Sequence, residues 1–174
     1  MRRVLLAVFT VACLGYATGC SSTVAPRTWA TTVCQSLAPW RAAISRLNET
    51  AQTEMASTTT VTDTRTHVLE LLDGGRFASE RARAAVAAAG VPDVTGGAEI
   101  EKRFITALAA VRDAYGRAAT TVGNLSTDDA SAFYAGVRSA FAQLNTDYSK
   151  AGADPSAIAS AELQADFAQV PACR

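Results

Sequence analysis

The sequence predicts an all-α fold, an antiparallel up-and-down four-helix bundle with a short fifth helix at the C-terminus, and three observations predict it. Of the 174 residues, 37 are alanine and 14 of the 16 basic residues are arginine, a bias toward strong helix formers. Apolar residues recur every three or four positions over long stretches. No segment alternates with period two over more than four residues, so no sheet is expected. A chain of this length makes one domain and can bury roughly 70% of its unfolded surface.

Helix one is expected from about residue 28 to about 55, with Trp29, Val33, Leu37, Trp40, Ile44 and Leu47 on one face. Pro39 lies inside that pattern and predicts a kink near residues 35–38. The stretch from Ser57 to Thr62 is rich in threonine, lacks a helical period and reads as a loop. Asp63 or Thr64 then caps helix two, whose apolar face carries Val68, Leu71, Leu72, Ala78, Ala82, Ala85, Val86 and Ala89. Gly74 and Gly75 interrupt it, so the helix either bends there or lets a neighbour approach closely. Gly90 and Pro92 end it, and Val91–Gly97 form a turn.

The stripe of helix three is Ile100, Phe104, Ala107, Leu108, Val111, Tyr115, Ala118 and Val122. Ser126 is expected to cap helix four, with Asp128 and Asp129 in its first turn and Phe133, Val137, Ala140, Phe141, Leu144 and Tyr148 inside. Gly152, Asp154 and Pro155 break the chain before a last short helix bearing Ile158, Leu163, Phe167 and Val170. Loops this short favour antiparallel neighbours.

The first residues read as an address rather than as structure. Arg2 and Arg3 precede an apolar run from Val4 to Tyr16, about a dozen residues and shorter than the roughly 20 that a membrane span needs. Ala17-Thr18-Gly19-Cys20 follows and resembles a bacterial lipobox, although Ala17 stands where a large aliphatic residue is usual. A plain signal peptidase site also fits, because Ala17 and Gly19 satisfy the small-x-small pattern. Either way the mature chain starts at Cys20. The arginine pair also partly fits a twin-arginine signal. Domain boundaries follow: residues 1–19 a signal peptide, 20–27 a lipidated tether, 28–174 one helical domain.

Cysteine parity favours the lipid. Cys13 leaves with the signal, and an odd set of Cys20, Cys34 and Cys173 remains. If Cys20 is lipidated, Cys34 and Cys173 form a pair and no thiol is left over. The body after residue 19 has 14 basic and 16 acidic residues, a net charge of −2, so membrane attachment would rest on the acyl chains. The same balance, with a pI of about 6.6, argues against nucleic acid as a partner.

Cys34 with Trp40 six positions on, the run from Ala89 to Gly97, and Asp166-Phe167-Ala168 leading to Pro171-Ala172-Cys173 resemble small helical exported lipoproteins of actinobacteria. The resemblance spans most of the mature chain. It implies the bundle and a Cys34–Cys173 disulfide, and it implies no activity.

Chemistry-bearing groups are sparse. His67 is the single histidine, so a Ser-His-Asp triad would lean on it alone, and it reads as a solvent-facing or boundary side chain. Glu99 with Glu101, and Asp128 with Asp129, sit in first turns of helices, where negative charge is favoured without any catalytic role. Glu70, Asp73 and Glu80 are scattered on helix two, and no E-x-x-H, HExxH, P-loop, GxGxxG or S-x-x-K occurs. Trp29 and Trp40 read as core residues, with Trp29 near the anchored end. The threonines from Thr58 to Thr66 offer hydroxyls for O-linked sugar. The expected function is therefore that of a non-enzymatic protein held by lipid on the outer face of the cytoplasmic membrane, binding a protein partner or an apolar ligand. No cofactor, metal or catalytic residue is expected. The alternatives are a lipid carrier whose bundle opens, and a hydrolase or metal-dependent enzyme using scattered carboxylates.

Overall fold

The computed structural model describes residues 23–57, 60–153 and 160–173. They form α1 (Pro26–Ser57), α2 (Val61–Ala88), α3 (Gly97–Gly123), α4 (Ala130–Ala151) and α5 (Ala161–Gln169), ending in a 3-10 turn at Pro171–Cys173. The helical prediction holds for every long element. Cys20 and Ile158 lie outside the described residues.

Local chemistry moves several boundaries. The chain is helical up to Ser57, Thr60 caps α2 and Val61 and Thr62 are already helical, so the described residues of the expected threonine loop are helix or cap. The Thr60 hydroxyl accepts the Asp63 N–H at 3.1 Å and donates to Asp63 Oδ2 at 2.6 Å, a reciprocal cap that places Asp63 in the first turn instead of at the cap. Thr64, the other expected cap, is buried inside the helix. At the start of α4 the cap is Asp129, which accepts the Ala132 N–H at 3.0 Å. Ser126 is one turn too early for that role. Its hydroxyl accepts the Asp128 N–H at 3.1 Å and shapes the preceding turn. Pro39 lies within α1, which continues as helix on both sides of it.

The expectation of no sheet is corrected at one place. Thr23–Val24 (β1) pairs in parallel with Val91–Pro92 (β2), Thr23 opposite Val91 and Val24 opposite Pro92. Two residues per strand give no alternating pattern for a sequence reading to detect. The Asp93 N–H extends the clasp by donating to Val24 O at 2.8 Å. The turn that follows depends on glycine twice. Gly96 has φ of 74°, and a Cβ at Gly97 would stand 2.0 Å from the Pro92 carbonyl oxygen.

Two apolar cores lie in series along the α2–α3 pair. The first joins Trp29, Val33, Leu37 and Trp40 of α1 to Ala78, Ala82 and Val86 of α2, Phe104, Leu108 and Val111 of α3, and Leu163 and Phe167 of α5. The second joins Val68 and Leu72 of α2 to Ala114, Ala118 and Val122 of α3 and Ala140 and Leu144 of α4. Tyr115 packs against both. It can do so because Gly75 leaves room: a Cβ there would come within 2.5–2.8 Å of the Tyr115 ring. Of the two expectations for Gly74-Gly75, close approach is the one realised, since a Cβ on Gly74 would likewise meet Leu47 at 2.6 Å.

Cys34 and Cys173 are joined by a disulfide with Cα atoms 5.1 Å apart, across 139 residues. Closing a loop of that order restricts the unfolded chain by about 5 kcal/mol in the chain-entropy model. α5 needs the help, because a nine-residue helix is marginal alone and is held by burying Leu163 and Phe167, about 1.5–3 kcal/mol each.

Gly75→Ala should destabilise the protein by about 1–3 kcal/mol, because the aromatic ring of Tyr115 cannot yield as a flexible chain would. Gly116→Ala in α3, where only the Arg76 Cδ lies within reach at 3.4 Å, should instead stabilise by about 0.5–1 kcal/mol through helix propensity. Urea denaturation of the two variants checks both signs.

Candidate functional site

The most distinctive surface feature is an aromatic slot where α1 passes α4. Leu37, Trp40 and Arg41 face Tyr148, Ser149, Gly152 and Ala153 across a recess of about 400 Å³. The Trp40 and Tyr148 rings are nearly parallel, 11° between planes with centroids 6.4 Å apart. Trp40 is held from behind: its indole N–H donates to Ser79 Oγ at 3.1 Å, and the Ser79 hydroxyl donates to Gly75 O at 2.8 Å. Ser79 is fully buried, so this chain satisfies polar groups that would otherwise be costly to bury. Tyr148 retains 39% of its surface exposed and gives the slot a wet edge. Arg41 Nη2 donates to Ala172 O at 2.8 Å and ties the slot to the C-terminal turn beside Cys173. Trp40 is itself buried, so the aromatic surface open to solvent here is that of Tyr148.

A second cluster is electrostatic. Glu80 of α2 accepts from Arg83 at 2.6 and 2.9 Å and from Arg112 of α3 at 2.7 Å. These two guanidinium groups hold the Glu80 carboxyl down to about 2, and the carboxylate in turn raises both arginines. Arg117 of α3 reaches Asp147 of α4 at 2.7 Å, and Gln143 donates to the other carboxylate oxygen at 2.8 Å, which lowers Asp147 also. Both clusters join neighbouring helices through paired charges. The Tyr115 phenol is raised by burial and, secondarily, by Tyr148.

The carboxylates singled out in the sequence are not brought together. Glu99 and Glu101 lie at the start of α3, and Asp128 and Asp129 before α4; Asp129 is occupied as a cap. None of the described Asp and Glu residues is buried, and no group of three or more His, Cys, Asp or Glu among the described residues could hold a metal. His67 is half-buried on α2, the boundary placement of the two expected for it. Trp29 and Trp40 are both buried, as their place on the apolar stripe predicts. Of the threonine run, Thr58 and Thr59 lie outside the described residues, Thr60 is the cap and Thr64 is buried. The slot and the Glu80 cluster escaped the sequence reading because their members come from different helices. Only Glu80 with Arg83, an i,i+3 pair, carried a local signal.

The lowered Glu80 carboxyl has a definite consequence for stability. Its folded pKa lies below its unfolded value, so its contribution is present above the ordinary carboxylate range and fades as pH falls toward 2. Thermal melts from pH 7 to pH 2 should therefore show Glu80→Gln less stable than the wild type at neutral pH, with the gap closing in acid. A gap independent of pH would contradict the assignment.

Comparison with family models, with curated proteins and with solved structures returned no match to this chain.

Proposed function

We propose that the chain is an exported helical protein anchored by lipid on Cys20 to the outer face of the cytoplasmic membrane, acting without catalysis by binding a protein partner or an apolar ligand. The observation that carries this reading is the Cys34–Cys173 bond. A disulfide belongs to an oxidising compartment, and with both of its cysteines used, Cys20 is the one cysteine after the export segment left for another purpose. The resemblance to small exported lipoproteins of actinobacteria points the same way.

On this reading residues 1–19 are removed, 20–27 tether the lipid, and 28–174 form one domain whose four long helices run up and down. Short connections between successive helices favour that arrangement. The Trp40–Tyr148 slot is the place for the ligand or for a side chain of the partner, since it offers aromatic surface that the fold holds rigidly. The lipid-carrier alternative requires the bundle to open, yet Gly74 and Gly75 are used for close packing. The carboxylate-enzyme alternative requires a buried acid pair, for which no described residue is a candidate.

Metabolic labelling with an alkyne fatty acid tests the anchor. The wild type should become labelled and sediment with membranes, and Cys20→Ala should do neither. Equal labelling of the two would refute the reading.

A further inference from the structure

We infer that the β1–β2 clasp makes the turn Val91–Gly97 the membrane-facing end of the protein, in contact with the lipid headgroups. This rests on the anchor at Cys20 proposed above and adds to it a defined surface.

The inference follows from chain length and main-chain bonding. Cys20 is three residues before Thr23. Three steps of backbone span at most about 11 Å when fully extended. The chain is fixed from Thr23 onward: Thr23 and Val24 pair with Val91 and Pro92, and the Asp93 N–H donates to Val24 O at 2.8 Å. α1 begins at Pro26, and Trp29, fully buried in the first core, donates its indole N–H to Gly90 O at 2.6 Å. Both strands of the clasp and the first turn of α1 therefore move as one piece with the α2–α3 turn. A lipid on Cys20 holds that piece within about 11 Å of its attachment point, a reach comparable to the headgroup layer of a bilayer.

The opposite end is far from it. The 27 residues of α3 separate the α2–α3 turn from the α3–α4 turn by about 40 Å at 1.5 Å per residue. The exposed charged side chains toward the anchored end are of both signs, Arg27, Lys102, Arg103 and Lys150 with Asp93 and Glu99, and Glu99 pairs with Arg103 at 3.5 Å. In an uncharged bilayer the short tether alone sets the contact. Trp40 lies eleven residues beyond Trp29 on α1, about 16 Å further along the helix.

The test uses the full-length, natively lipidated protein in phosphatidylcholine vesicles containing a fraction of nitroxide-headgroup lipid. A fluorescent non-natural amino acid is placed at Thr95 or at Asn124, both exposed, leaving the disulfide untouched. Quenching at Thr95 should be several times that at Asn124, and inserting a flexible Gly/Ser segment between Ser22 and Thr23 should reduce it. Equal quenching at the two sites, stronger quenching at Asn124, or no effect of the insertion would overturn the inference while leaving the anchor intact. Alkyne fatty acid uptake is read on the same samples; its absence would instead remove the anchor and the inference with it.

Discussion

Trp29 is the residue through which one end of the molecule is held together. Its ring lies edge-on to Phe104 of α3 at 5.5 Å and tilted against Phe167 of α5 at 6.1 Å, while its indole N–H reaches the Gly90 carbonyl. A single side chain on α1 thus touches the start of α3, the short terminal helix and the turn that closes α2. A large aromatic ring with one polar handle suits this position, since its faces fill the core and its donor satisfies a carbonyl that a turn leaves unpaired. One turn further along α1, Cys34 bonds Cys173 and returns the end of the chain to the same place. Packing and covalent closure therefore act on neighbouring turns of one helix.

The second core has a different character. It is built from Ala114, Ala118 and Ala140 with Val68, Leu72, Val122 and Leu144, so α4 lies close to its neighbours without a large aromatic at the centre. What orients α4 comes from its flanks: Phe133 buried at its start, the Arg117–Asp147 pair, and Tyr148 against Trp40. Tyr115 couples the two cores, and it can only because Gly75 has no side chain. The aromatic slot borders the first core through Leu37, Trp40 and Ala153 and reaches the C-terminal turn through Arg41.

Much of the helical content was legible because one-dimensional periodicity is sufficient for it. The stripes Ile100-Phe104-Leu108-Val111 and Trp29-Val33-Leu37-Trp40 are the buried faces, and the glycine pair at 74 and 75 marked a bend or a close approach, of which the second is realised. Caps were less legible, since Thr60, Asp63 and Thr64, or Ser126 and Asp129, are all good capping types and only backbone geometry selects among them. The clasp was invisible: its four residues carry no period, and their pairing bridges 68 positions. The slot was invisible for a similar reason. Trp40 and Tyr148 each read as core residues of separate helices, and nothing local reveals that Tyr148 is the ring left partly exposed.

Trp29, through its hydrogen bond to Gly90 and its contacts with Phe104 and Phe167, closes this end of the molecule as one cooperative unit. Hydrogen exchange of Trp29→Phe followed by mass spectrometry tests it most directly, because the substitution keeps an aromatic ring and removes the donor. Exchange should become faster in Val24, in residues 90–94 and in α5 together, with α4 and the second core unchanged. Exchange that rises uniformly across all helices, or that leaves the clasp at wild-type protection, would contradict it.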